Sequence, residues 1–345
     1  MKRQSLPEIL LAAVAFAALV TAGAAYAQQT PRAVTLGSNQ PGTVAYAAAS
    51  AIAKVVSGAA PLQVTVQPYA GATTYFPILN SGELDFGFVS APDMVLSYQR
   101  GAAPELGGKN PYPHTPNIRL VMRGAPIIVT LLVRKDSPIR TIGNVKGMRV
   151  TGQYPAQLLN HRLMFAYLAS AGMSWEDVKV IPVPAVNEGV DAMVQGRADV
   201  SIHALNSAKV REAHAAVGVR VVSADCSPEG AQRLQKIAGA YPRWIKAGGG
   251  AAVDQDSCMI AFDYYLATHR AAPEPVVATV LKALWENADK LPPFHPFLKE
   301  WTRERAVDPS VTIPYHPEAI RFYRERGVWN PEMEQTQKRL LALNP

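Results

Sequence analysis

The sequence predicts a two-lobed α/β protein, each lobe a mainly parallel sheet flanked by helices, with a cleft between the lobes. Three observations predict it. The first is a unit that occurs twice. A β-branched run at 64–67, a turn rich in Gly and Thr and a helical stretch lead to Gly82-Glu83-Leu84-Asp85 and the apolar run 86–89. The second copy runs from 178–183 through 187–195 to Gly196-Arg197-Ala198-Asp199 and 200–203, so its glycine lies 196 − 82 = 114 residues on. In each copy Gly ends a helix where a left-handed residue is least strained, and Asp opens the next strand. Strand–helix–strand within one sheet demands a right-handed crossover and parallel neighbours. The second observation is that 118–122 and 127–133 are apolar, β-rich and unbroken, as buried strands of a parallel sheet are. The third is length, which exceeds what one core commonly holds.

From the N-terminus, Lys2 and Arg3 form a positive segment, 9–20 is continuously apolar, and Ala25-Tyr26-Ala27 supplies a small–x–small cleavage site. Residues 1–27 therefore read as a signal peptide and Gln28 as the mature start, leaving 345 − 27 = 318 residues. The apolar stretch is short for a bilayer span. No Cys lies near the cleavage site to carry a lipid. The expectation is a soluble periplasmic protein.

The mature chain alternates strands and helices. Residues 33–37 form a strand, Ser38-Asn39-Gln40-Pro41-Gly42-Thr43 a loop, and 45–56 a helix. The first copy of the repeat follows, then an irregular stretch at 104–116 with four Pro and two Gly among thirteen residues. After the two apolar strands, 148–151 leads through Gly152-Gln153-Tyr154-Pro155 into a helix at 156–171. The second copy, a strand at 219–222 and a strand at 257–262 after Gly248-Gly249-Gly250 come next. From Pro273 the chain is helical with breaks marked by Pro, and this last third is expected to return and cover the first lobe. The lobes are then 28–126 with 263–345, and 127–262, the second including crossing strands near 127–133 and 257–262.

Removing Lys2, Arg3 and Glu8 takes the formal charge from +7 to +7 − 2 + 1 = +6. The basic residues are scattered. The densest run, 321–326, carries its own acid, with Arg321 and Glu325 spaced to pair on a helix, so no nucleic-acid stripe is indicated. Cys226 and Cys258 are the only cysteines, and they are either a disulfide or two buried thiols. The seven His are isolated, without metal-binding spacing. No nucleophile elbow, Walker loop or dinucleotide fingerprint occurs, which argues against an enzyme and against a cofactor.

Three stretches resemble the TAXI solute receptors, the periplasmic binding proteins of one branch of TRAP transporters. They are the opening strand with its 37–43 loop and Tyr46, the unit 81–89, and most specifically Ile313-Pro314-Tyr315-His316-Pro317-Glu318-Ala319 followed by Phe322, Tyr323, Glu325 and Gly327. The last is similar to that family's C-terminal signature, with Glu318 where Gly is usual. The resemblance implies a type II-like periplasmic binding protein that captures a small organic carboxylate between its lobes and delivers it to TRAP membrane subunits. An ABC-type or ligand-sensing binding protein is the alternative. Where the family shows Gly-Gly-Ser and then Asn, this chain has Ala70-Gly71-Ala72 and Tyr75. Where it shows Gly-Ser-Gly-Thr, this chain has Gly152-Gln153-Tyr154-Pro155-Ala156-Gln157. These changes predict a ligand less polar or more aromatic than glutamate.

Ligand contacts are expected where loops leave the carboxyl ends of strands. In the first lobe these are Ser38, Asn39 and Thr43, then Thr73, Thr74 and Tyr75, and Ser90 after the strand 86–89. In the second they are Tyr154, His203 and Asn206. Hydroxyls, amides and free N–H groups at helix starts suit an anion. Arg123 is the candidate carboxylate partner because guanidinium offers a two-pronged fork, whereas Arg134 with Lys135-Asp136 reads as solvated surface.

Overall fold

The computed structural model describes residues 32–344 except 109. The segment read as a signal peptide, 1–27, lies outside the described residues. No helix among those described is long and apolar enough to cross a membrane.

The repeat is a strand-clamping device. Asp85 starts β3 (Phe86–Ser90) and accepts both the N–H and the hydroxyl of Thr35, each at 2.8 Å, on the neighbouring β1 (Arg32–Asn39). Asp199 starts β7 (Val200–Ala204) and accepts the N–H of Arg149 at 2.8 Å on β5 (Arg149–Gln153) while pairing with its guanidinium at 2.6 Å. Each Asp thus secures a strand through a residue 50 positions earlier. The glycines before them, Gly82 and Gly196, are left-handed at φ 86° and 72°, the conformation only Gly adopts without strain. Both strand pairs are parallel, with Leu36 opposite Phe86 and Val150 opposite Val200.

The flanking elements follow the sequence closely. In the first lobe α1 (Val44–Ala59) links β1 to β2 (Leu62–Tyr69), and α2 (Ala72–Ser81) links β2 to β3, which runs into α3 (Ala91–Ser97). In the second, α4 (Leu158–Ser170) links β5 to β6 (Lys179–Val183), and α5 (Val186–Val194) links β6 to β7.

The central strands differ from expectation. Residues 118–122 and 127–133 are one strand, β4 (Ile118–Arg134), and it runs antiparallel to its partners. Gly124 and Pro126 look like a break in the sequence, yet neither interrupts the strand. An added Cβ at Gly124 would strike the Trp301 ring, so the glycine is there for close packing. Pro126 faces Asp263 beside a register shift in the partner strand, where a ladder N–H is not required. That partner, β10 (Ser257–His269), also extends seven residues past the expected end at 262. It pairs with β9 (Tyr241–Ile245) through its first half and with β3 through its second, while the second half of β4 pairs with β7 and β8 (Val219–Val222). The strand order is β2-β1-β3-β10-β4-β7-β5-β6, so both lobe sheets hang from the β4–β10 pair.

After β10 the chain packs back on α1 and β4. Helix α6 (Ala208–Val217) and α7 (Pro228–Ala238) belong to the second lobe, whereas α8 (Glu274–Glu286), α9 (Pro317–Glu325) and α10 (Pro331–Leu341) follow β10. The signature segment is structural here. Tyr315 bridges to Leu120, Tyr323 donates to the Val121 carbonyl at 2.9 Å, and His316 caps α9 by accepting the Glu318 N–H at 3.2 Å. Cys226 and Cys258 form a disulfide, their Cα atoms 6.3 Å apart.

Candidate functional site

The lobes meet over a small, partly open cavity of about 50 Å³ beside the β4–β10 crossing. Its floor is apolar, from Ile127 and Val129 on β4 and Phe262 and Tyr264 on β10. One wall is the β1–α1 junction, with Asn39, Thr43, Val44 and Ala45. The facing wall comes from the second lobe, with Gln157, Asn160, Val186, His203 and Ala204. Three helices therefore point their N-termini at this space, α1 from one side and α4 and α5 from the other. First-turn N–H groups lack intrahelical partners, and the aligned peptide dipoles add positive potential there.

Buried polar atoms without partners occur on three lining residues and on the neighbouring Ser38. They are Ser38 Oγ, Asn39 Oδ1, Gln157 Nε2 and His203 Nδ1. Leaving such a group unsatisfied costs about 1–3 kcal/mol, and three of the four belong to residues that line this one cavity, which marks it as a place for a partner. Surrounding contacts fix what two of them present. The Gln157 amide oxygen accepts from the Val186 N–H and from Asn160 Nδ2, each at 2.9 Å, which leaves its NH₂ as a free donor. His203 Nε2 lies 2.9 Å from Asn187 Oδ1, and Asn187 Nδ2 donates to the Pro41 carbonyl at 2.8 Å. That second bond orients the Asn187 amide, so Oδ1 is the acceptor and His203 Nε2 carries the proton. Burial pushes the imidazole pKa down to about 4, so the ring is neutral at pH 7 and Nδ1 offers a lone pair.

The sequence candidates divide into three groups. Asn39, Thr43 and His203 line the cavity, and Ser38 adjoins it at the end of β1. Thr43 also caps α1, its hydroxyl accepting the Tyr46 N–H at 3.2 Å. Thr73 and Asn206 lie at lobe contacts instead. Thr73 Oγ1 donates to the Ala156 carbonyl at 2.9 Å across the cleft. Asn206 is left-handed at φ 62°, and its carbonyl takes His295 Nε2 at 3.0 Å. Asn206 lines an adjoining cavity of about 160 Å³ whose charged residues, Arg243 and Glu300, pair with each other at 2.7 Å.

The remaining candidates are engaged elsewhere. Thr74 is exposed on α2. The Tyr75 hydroxyl donates to the Phe88 carbonyl while its ring packs on Tyr69 and Phe76, so it fills its own lobe. Tyr154 is fully buried with its hydroxyl 2.6 Å from Thr151 Oγ1. Ser90 caps α3 and donates to Asp93 at 2.6 Å, and Tyr112 binds the other oxygen of that carboxylate at 2.6 Å. Burial raises the Asp93 pKa against these two bonds. Arg123 is held by Asp263 at 2.6 Å and Asp308 at 3.2 Å, under the crossing strands and not in the cavity. Arg134 pairs with Asp136 at 3.2 Å, as its surface reading anticipated.

Sequence reasoning missed Gln157, Asn160, Val186, Phe262 and Tyr264. Gln157 was absorbed into a helix begun at 156, whereas α4 starts at Leu158 and Gln157 precedes it. The i, i+3 pair of amides at a helix start was the available signal. Tyr264 lay beyond the expected end of its strand.

The lobes are in contact across the cleft. Asn187 reaches Pro41, Gln40 Nε2 donates to Glu188 at 3.2 Å, the Lys209 N–H reaches the Gly42 carbonyl at 3.3 Å, and Arg162 on α4 pairs with buried Glu105. Such contacts belong to a two-lobed protein closed on its cleft.

Two solved structures share this architecture. One, described as a periplasmic transporter, is 13% identical over 91% of this chain and 97% of its own, with a TM-score of 0.55. The other, the periplasmic binding protein BugD, is 12% identical over 90% of this chain and 97% of its own, also at 0.55. At that identity they establish a common fold. A family model described as the NMT1-like family matches residues 36–327, from the middle of β1 to the turn after α9, and the chain belongs to the NMT1-like family.

Proposed function

We propose that this chain is a periplasmic solute receptor, non-enzymatic, that closes its lobes over a small organic carboxylate and delivers it to a membrane transporter of the TRAP type. The observation that carries the reading is the cavity between the lobes, where three helix N-termini and unpartnered buried polar atoms from both sides converge. A carboxylate there meets N–H donors and positive helix ends without needing a cationic side chain. The apolar part of the ligand rests on Ile127, Val129 and Phe262, which supports a solute less polar than glutamate. That wall comes from β4 and β10, because Tyr75 and Tyr154 are turned into their lobes. We place the lobes at 28–126 with 263–345 and at 127–262, rocking about β4 and β10 where Asp263 gathers Arg123 and Arg305.

The TRAP assignment draws on the resemblance of 313–327. Titrating the chain from Gln28 onward with short carboxylates by calorimetry tests capture. Tighter binding of glutamate than of short monocarboxylates, or no binding of any, defeats the ligand reading. Deleting the TRAP-type membrane subunits should abolish receptor-dependent uptake. Loss of uptake only on deleting an ATPase subunit supports the ABC alternative, and intact uptake with loss of a ligand response supports sensing.

A further inference from the structure

We infer that the bound solute donates a hydrogen bond to His203 Nδ1 while accepting one from Gln157 Nε2, so that the receptor selects a short hydroxy acid over the same acid without its hydroxyl. The inference rests on the solute-receptor reading and deepens it. It follows from the order of donors through the second lobe. The Pro41 carbonyl can only accept, so Asn187 presents Nδ2 to it and Oδ1 to the ring. The ring must then place its proton on Nε2, and Nδ1, the unpartnered nitrogen of this lining residue, is a bare acceptor. A carboxylate oxygen set against that lone pair is repelled, whereas a hydroxyl satisfies it. Gln157 carries the opposite polarity, its oxygen being spent on Val186 and Asn160. The cavity therefore asks for one donor and one acceptor on the same small molecule.

Two further features narrow the class. No carboxylate is among the lining residues, so an ammonium donor would be buried without a counter-charge, while a hydroxyl carries none. The innermost space of about 50 Å³ holds roughly three to five water-sized groups, enough for the carboxylate and hydroxyl end of a short hydroxy acid. The same chain of bonds continues to Pro41 on the first lobe, so a ligand that engages Nδ1 also steadies the clasp between the lobes.

Calorimetry with lactate, propionate, alanine and propane-1,2-diol tests this on the mature protein. Lactate should bind about 10- to 100-fold tighter than propionate, the penalty for an unmet buried acceptor. Equal binding of lactate and propionate overturns the inference and leaves the receptor reading standing. Tighter binding of alanine assigns the donor to an ammonium and overturns the hydroxyl. Binding of the diol but of neither acid removes the carboxylate and overturns both. If none of the four binds, the inference falls. Nitrogen-15 spectra of His203 give a readout that needs no variant. The Nε2–H tautomer is expected, with the Nδ1 resonance moving on addition of lactate and not of propionate, and an Nδ1–H tautomer refutes the assignment. In Asn187→Asp the new carboxylate favours a protonated ring, so the preference for lactate over propionate should fall at least 10-fold, and an unchanged preference counts against the mechanism.

Discussion

Gly71→Ala should block closure without harming the lobe that carries it. Gly71 precedes α2 with φ 174°, an extended conformation that alanine accepts. Its role is to let the second lobe approach. An added Cβ would lie 2.7 Å from the Ala156 carbonyl carbon and closer still to its oxygen. Ordinary contact begins near 3.4 Å, so the lobes must part by at least 3.4 − 2.7 = 0.7 Å at this point. The Thr73 Oγ1 bond to the Ala156 carbonyl, 2.9 Å in the closed protein, then stretches to 2.9 + 0.7 = 3.6 Å and ceases to be a hydrogen bond. The added methyl also strikes the side chain of Gln157, a lining residue whose NH₂ has no partner. Losing one hydrogen bond and misplacing a second is worth about 2–3 kcal/mol, so ligand affinity should fall roughly 30- to 150-fold. Titration calorimetry reads the affinity, small-angle scattering the compaction on ligand, and circular dichroism the unliganded melting temperature. The reasoning is refuted if the variant binds within threefold of the wild type and compacts to the same radius.

Three other perturbations have defined outcomes. His203 is neutral when folded, with a pKa near 4, below the ordinary value of about 6.5. The unfolded chain thus takes up a proton that the folded chain refuses. This group's stability contribution is complete above about pH 6.5 and declines by about 3 kcal/mol as the pH falls to 4. Urea unfolding at pH 7 and pH 5 should show a smaller acid loss in His203→Gln, and an identical loss in both proteins rules the residue out. Removing the Cys226–Cys258 disulfide, which spans 32 positions, should lower stability by about 4 kcal/mol through the freed unfolded chain, and a reduced protein melting with the oxidised one speaks against that. Asp263→Asn leaves Arg123 and Arg305 without their shared carboxylate and should destabilise by about 3 kcal/mol, while a change below about 1 kcal/mol would show the network to be solvent-screened.

The repeat was legible because its chemistry is local. A left-handed Gly and a strand-opening Asp must sit at fixed spacing, whereas the strands that pair with β3 and β7, β1 at Leu36 and β5 at Val150, lie outside the repeat and between the two strands of each copy. The crossing strands were not legible in full, because the signals that ordinarily stop a strand, Gly124 and Pro126, are explained only by partners far away in sequence, Trp301 and Asp263. The site followed the same division. His203 stands at a strand end that the repeat had located, and Ser38, Asn39 and Thr43 follow the opening strand read from its own β-rich run. Gln157 belongs to a loop whose helix start was misplaced, and Tyr264 to a strand ended too soon. The tyrosines were misjudged because a loop position does not say which way a ring turns. Tyr75 finds its hydrogen-bond partner at the Phe88 carbonyl inside the lobe.

The distribution of charge explains how an anion could be held by a neutral cavity. Arg123 and Arg305 share Asp263 beneath the crossing strands, and Arg162 is spent on Glu105 at the edge of the cleft. Each guanidinium thereby joins parts of the fold, and a ligand that competed for one would loosen the contact it makes. Helix N-termini have no such second duty. They hold a carboxylate by N–H groups that are otherwise half-satisfied, and they move as rigid parts of their lobes. With α1 on one lobe and α4 and α5 on the other, an anion between them is attracted from both sides only when the cleft is shut. In the proposed receptor closure and capture would then be one equilibrium, with the neutral side chains Gln157 and His203 left to decide which small acid is kept.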